Sequence, residues 1–145
     1  MSGCDNADAN RVQKEVQMAD HAIRPEVVKA LVATRRWDEL TAQVAERARY
    51  CCEYCDLDFY RSPENYKLMQ KDHIIPSSSD GPHELENLAL ACTPCNFSFK
   101  RDYAPPRDAA TREQRINAAR RYVEDRKKNF DDGQLKRERL IVGYE

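Results

Sequence analysis

Between Cys52 and Lys100 the chain concentrates residues able to do chemistry. Cys52-Glu53-Tyr54-Cys55 and Cys92-Thr93-Pro94-Cys95 form two Cys-x-x-Cys pairs. Four thiolates spaced this way suit one tetrahedral zinc ion. Between the pairs lie Asp72-His73-Ile74-Ile75-Pro76 and Asn87; Asn96 and Lys100 follow the last cysteine. Hydrolysis of a phosphodiester makes three demands. A water must lose a proton, the added charge on the phosphoryl oxygens must be offset, and the departing oxygen must be stabilised. A neutral imidazole such as His73 can take the proton at physiological pH. Hard oxygen donors such as the Asp72 carboxylate suit magnesium or manganese. Neighbours in a regular strand point to opposite faces. Asp72 and His73 therefore share a site only if the strand bends or ends at His73.

Taken in order, Cys52, Cys55, Asp72-His73-Ile74-Ile75-Pro76, Asn87-Leu88, Cys92, Cys95-Asn96 and Lys100 resemble the HNH endonuclease family. More narrowly they resemble its zinc-containing branch with a ββα-metal core. The resemblance spans roughly Ala48 to Asp102, about a third of the chain. It implies an α+β fold, treble-clef-like, with a structural zinc on Cys52, Cys55, Cys92 and Cys95. It further implies a metal-dependent endonuclease acting on DNA, with RNA also open as a substrate. His73 would be the general base on water. Asp72 and Asn96 would hold the catalytic Mg2+ or Mn2+. Asn87 would brace the loop through its backbone, and Lys100 and Arg101 would meet phosphate. The chain departs from the family pattern in Asn96, where many members carry histidine. It also has Asp80-Gly81-Pro82 in place of a Gly-Gly pair, and Arg101 in place of glycine.

Two other classes fit the cysteines alone. One is a nucleic-acid-binding treble clef without catalysis, in which His73 and Asn96 are structural. The other is a protein-binding zinc module. Cys51 competes with Cys52 as a ligand, but only Cys52 reproduces the two-residue spacer of Cys92 and Cys95. His83 could assist a metal or a phosphate but reads more readily as loop decoration, His21 as a surface or structural residue, and Cys4 as a leader thiol without a role.

The surrounding elements follow from pattern. Asn10 and Gln13 suit the start of a helix with Val12, Val16, Ala19 and Ile23 on one face. Pro25 suits the first position of a second helix, faced by Val27, Val28, Leu31 and Val32. A third helix is predicted from Trp37 to Tyr50, striped by Trp37, Leu40, Val44 and Ala48. Ser62-Pro63-Glu64 suits a helical turn. Strands are predicted over Lys67–Ile75 and Leu88–Ala91, separated by a serine-, glycine- and proline-bearing loop. A helix starting near Pro94 carries Cys95, Asn96 and Lys100, and is ended by Tyr103-Ala104-Pro105-Pro106. Asp108 or Thr111 then caps a long helix to Phe130, with Ile116, Ala119, Val123 and Phe130 inward. Its Arg112, Arg115, Arg120, Arg121 and Arg126 are predicted mostly outward. Asp132-Gly133 should stop it, and Leu135 to Val142 fits either strand or helix.

These elements divide the chain into an N-terminal helical extension (1–47), a zinc core (48–104) and a C-terminal, partly basic extension (105–145). The 145 residues are 34% charged and the net charge is −1, which excludes a uniformly basic nucleic-acid coat. From residue 100 onward, 13 Lys/Arg face 9 Asp/Glu, so the local surplus could grip phosphates or simply solvate a helix. No apolar run is long enough to span a membrane and no basic-then-apolar leader is visible. The expectation is a cytoplasmic chain with reduced thiols, for which metal binding outranks disulfides.

Overall fold

The computed structural model describes residues 22–145. The predicted first helix from Asn10, Cys4 and His21 lie outside the described residues. Helix α1 (Pro25–Ala33) starts with its proline in the first turn, where a missing N–H costs nothing. Helix α2 (Glu39–Arg47) is capped by Asp38, whose Oδ1 accepts from the Thr41 amide at 2.8 Å. That cap leaves Trp37 ahead of the helix, edge-on to Tyr50 at 6.5 Å, so the expected stripe begins one turn later. Ala42, Val44, Ala45 and Glu46 are its buried residues.

Arg49 and Tyr50 both adopt left-handed backbone, which reverses the chain into the first cysteine knuckle. A short helix α3 (Pro63–Lys67), capped by Ser62, precedes strand β1 (Met69–His73). Strand β2 (Leu88–Cys92) pairs with it antiparallel, from Met69 opposite Cys92 to His73 opposite Leu88. The first strand is shorter than its sequence suggested at both ends. Lys67 and Leu68 close α3, and at Ile75 the backbone pairs with the Asn87 side chain in place of a strand. Every residue of β2 is buried, so the sheet forms the centre of the core.

Helix α4 (Pro94–Phe99) follows directly. It is wound as a π-helix where an α-helix was expected. Helix α5 (Arg112–Phe130) carries a complete capping box, Thr111 with Gln114. Ile116, Ala119 and Val123 enter the same core as Val44, Phe59 and Leu90. Three expectations need correction here. Arg120 is buried, because its guanidinium serves the backbone and Asp56 of the first knuckle. Phe130 is largely exposed and meets Phe99 edge-on at 6.1 Å. Asp132-Gly133 does not stop the helix. A π-wound stretch (Asp131–Leu135) absorbs the glycine, and α6 (Lys136–Val142) continues to Gly143, whose φ of 70° is the actual terminator. An ion pair from Arg139 to Asp131 at 2.9 Å spans that junction. None of the described helices is long and apolar enough to cross a membrane.

One buried carboxylate ties α2 to the segment before α1. Glu46 accepts from the Arg24 and Arg49 guanidinium groups and from the Tyr50 hydroxyl at 2.7 Å. Burial opposes its ionisation, but those donors outweigh it and hold the carboxyl at about 2, against an ordinary 4.5. A depressed carboxylate stabilises the fold above its unfolded pKa, and that contribution is lost as pH falls through the folded one. Glu46→Gln is therefore expected to lower Tm at neutral pH and to flatten the loss of Tm between pH 4.5 and 2. A melting series in which the variant and wild type fall in parallel over that range would refute the assignment.

Candidate metal centre and catalytic cleft

The Sγ atoms of Cys52, Cys55, Cys92 and Cys95 lie within 4.8 Å of one another, and Cys55 and Cys92 are 3.7 Å apart. A tetrahedral zinc–thiolate centre sets sulfurs about 3.8 Å apart, since each bond is about 2.3 Å. The donor type, number and spacing all fit zinc. Cys51 is outside the cluster and is disulfide-bonded, so the expectation of reduced thiols holds for the four clustered cysteines and not for Cys51. The knuckles supply further support, because the Cys92 amide donates to Cys52 Sγ at 3.3 Å. Packed together, the thiols perturb one another. Burial pushes Cys52 up, whereas hydrogen bonding from Cys52 and its neighbours pulls Cys55 down. Lys127 of α5 adds positive charge. Burial disfavours its ammonium, yet proximity to Cys55, Cys95 and Cys92 raises its pKa overall. A zinc tetrathiolate carries two negative charges, so a neighbouring ammonium suits it.

The first knuckle also reaches the second group of sequence-selected residues. Tyr54, between Cys52 and Cys55, is fully buried and donates its hydroxyl to Asp72 Oδ2 at 2.6 Å. Burial, and then the nearby Asp72, raise its pKa and keep the phenol protonated as a donor. Lys100 Nζ donates to the same Oδ2 at 2.6 Å and to the His73 carbonyl at 2.6 Å. Its ammonium sits 5.5 Å from the Tyr54 ring centre and 5.7 Å from that of Tyr103. Lys100 is thus turned inward, toward Asp72, rather than out into solvent. Oδ1 of Asp72 takes no hydrogen bond among the described residues.

Strand β1 ends at His73, which meets the geometric condition set by alternation. Asp72, His73, Pro76, Ser77, Asn96 and Lys100 together line one cleft of about 210 Å³. Asn96 donates its amide nitrogen to Gln70 Oε1 at 2.9 Å, and its side-chain oxygen takes no hydrogen bond among the described residues. Asn87 pins the loop: its Oδ1 accepts from the Ile75 amide at 2.9 Å, and its Nδ2 donates to the Ile75 and Pro82 carbonyls. Gly81 fits where the loop folds back. A Cβ there would lie 1.8 Å from the Ile75 carbonyl oxygen. Arg101 follows α4 and is exposed.

Sequence reasoning missed Tyr54 and Gln70, and it read His83 chiefly as loop decoration. Tyr54 and Gln70 act through contacts 18 and 26 residues away in the chain, which no local pattern announces. His83 lies in the loop with Nδ1 3.1 Å from His73 Nε2. Asp72 and Asn96, which both line the cleft, carry oxygens of the hard kind that magnesium and manganese accept.

Residues 52–98 match the family model described as HNH endonuclease. Comparison with curated proteins and with solved structures found no match. The matched segment contains both cysteine pairs, Asp72, His73, Asn87 and Asn96. It assigns the chain a nuclease-type or nucleic-acid-binding core.

Two outcomes test the metal centre. Elemental analysis of purified protein is expected to return one zinc per chain. Structural zinc in small domains is worth on the order of 10 kcal/mol, so stripping it with chelator should abolish cooperative melting. Metal-free protein that still melts cooperatively would exclude a structural centre. Tyr54→Phe should retain zinc while weakening binding of manganese to the cleft. Unchanged manganese affinity would show that Tyr54 does not orient Asp72.

Proposed function

We propose that this HNH segment is the core of a metal-dependent endonuclease that hydrolyses DNA phosphodiesters, one strand per encounter. The observation that carries this reading is convergence: a histidine, an aspartate and an asparagine line one cleft with a buried lysine. His73 accepts the proton of the attacking water. Oδ1 of Asp72 and the side-chain oxygen of Asn96 hold one magnesium or manganese ion. Bound there, the ion would offset charge on the phosphoryl oxygens and stabilise the departing oxygen.

The remaining residues keep these groups in place. Tyr54 and Lys100 fix Oδ2 of Asp72, which turns the other oxygen to the cleft. Such outer partners orient a ligand and tune its affinity for metal. Gln70 sets which end of the Asn96 amide is free. Asn87 holds the chain just after His73, and so limits how far the imidazole can drift. Arg101 meets the phosphate backbone. The catalytic core spans 48–104, with α5 as part of its scaffold, and it acts in the cytoplasm, where the four clustered thiols stay free for zinc.

One observation favours a second reading, a zinc module that binds nucleic acid without cutting it. Lys100 already neutralises Asp72, so the carboxylate has a partner before any ion arrives. Nicking of supercoiled plasmid separates the two. Wild type should cut when magnesium or manganese is added, and His73→Ala should cut about 10²–10⁴-fold more slowly with melting and zinc content unchanged. Equal cutting by both would remove His73 from the mechanism. DNA retention without cutting by either would favour the binding module. An RNA arm in the same assay defines the substrate.

A further inference from the structure

His83 sits in the loop between the strands, ten residues beyond His73, yet the two rings face one another. Their centroids are 5.2 Å apart, and His73 Nε2 lies 3.1 Å from His83 Nδ1. Several contacts bring the loop there. The Gly81 amide donates to the Pro76 carbonyl at 3.0 Å, and Gly81 lies against the Ile75 carbonyl. Asn87 holds the Pro82 carbonyl at 2.9 Å, directly before His83. The loop is therefore folded back over the end of β1 by groups independent of either imidazole.

Two neutral imidazoles that share a hydrogen bond must divide the roles, one ring donating and the other accepting. Nδ1 of His73 has no hydrogen-bond partner among the described residues. If His83 donated, it would occupy the lone pair on His73 Nε2 and leave the proton on Nδ1. That ring could not accept a proton without breaking the contact. If His73 donates through Nε2–H, its Nδ1 keeps a free lone pair. His73 borders the cleft and His83 does not, which puts the contact on the loop side of the ring.

Resting on the nuclease reading above, we propose that His83 is a positioning residue that holds His73 in the Nε2–H tautomer, so that Nδ1 is the base. The contact also strengthens as the reaction proceeds. Once Nδ1 has taken a proton from water, Nε2–H donates from a cation, and charge-assisted hydrogen bonds are roughly twice as strong as neutral ones. Stabilisation that grows toward the transition state raises kcat rather than substrate affinity.

The test reads the tautomer directly. Long-range 15N–1H correlation spectra of zinc-loaded protein at mildly alkaline pH should show His73 with its proton on Nε2. The same spectra of His83→Ala should show a mixture of tautomers. In nicking assays, His83→Ala should lower kcat roughly ten- to a hundredfold with KM nearly unchanged. His83→Asn, whose Oδ1 can take the place of Nδ1, should recover most of that loss. A wild-type proton on Nδ1, or a His73 tautomer indifferent to His83→Ala, would overturn the assignment. Absence of cutting by wild type with the tautomer still locked would instead count against the nuclease reading alone.

Discussion

Four sulfurs drawn into one cluster are the constraint on which the rest of this structure depends. Thiolates repel, and buried ones are costly without a cation to share them. Tetrahedral binding of zinc would remove that cost, and the cluster joins a knuckle after α2 to one that opens α4. Everything chemically interesting lies within a short reach of that tie. Tyr54 stands between two of the sulfurs and bonds Asp72. Asn96 follows a third sulfur directly, and Lys100 lies one turn further on. The cysteine cluster is thus linked through Tyr54 and the start of α4 to a carboxylate and an amide outside it.

Part of the positive charge is used for construction. Arg120 donates to the Glu53 carbonyl at 2.6 Å and pairs with Asp56 at 3.1 Å, which fastens α5 to the first knuckle. Arg112 bonds Glu53 Oε1 at 2.8 Å and the Leu88 carbonyl at 3.1 Å. Arg47 caps the Leu85 and Leu88 carbonyls from the other side. Its burial, with Arg112 nearby, lowers its pKa to about 10. A planar guanidinium with several donors suits this work better than an ammonium does. Part of the basic surplus after residue 100 is consequently spent on internal bonds, and only the outward residues remain for a polyanion.

The same economy governs the cleft. Each group that would do chemistry has a partner fixing its geometry: Tyr54 and Lys100 for Asp72, Gln70 for Asn96, Asn87 for the segment after His73. These partners come from the first knuckle, β1, the turn before β2 and the residue that closes α4. A functional site held this way tolerates little drift, because each support is itself buried or hydrogen-bonded.

Much of this was legible in order and spacing. Paired cysteines at a two-residue spacer identify their own ligand set, since tetrahedral thiolate geometry admits few alternatives. Caps and prolines marked the starts of α1, α3, α4 and α5, because the first turn of a helix has unsatisfied amides that only certain residues serve. Less local matters were decided by the tertiary fold. Gly133 looked like a terminator, but a glycine can remain within a helix when its flanks continue, and among the described glycines it is Gly143 that adopts left-handed backbone. Arginines on a polar helix look solvent-facing until the partner surface is known. The bond from Tyr54 to Asp72 and the meeting of His73 with His83 join residues far apart in the chain. Chain order determined which groups are present and where local elements start. Only three-dimensional packing determined which groups meet, because that depends on surfaces that no single segment carries.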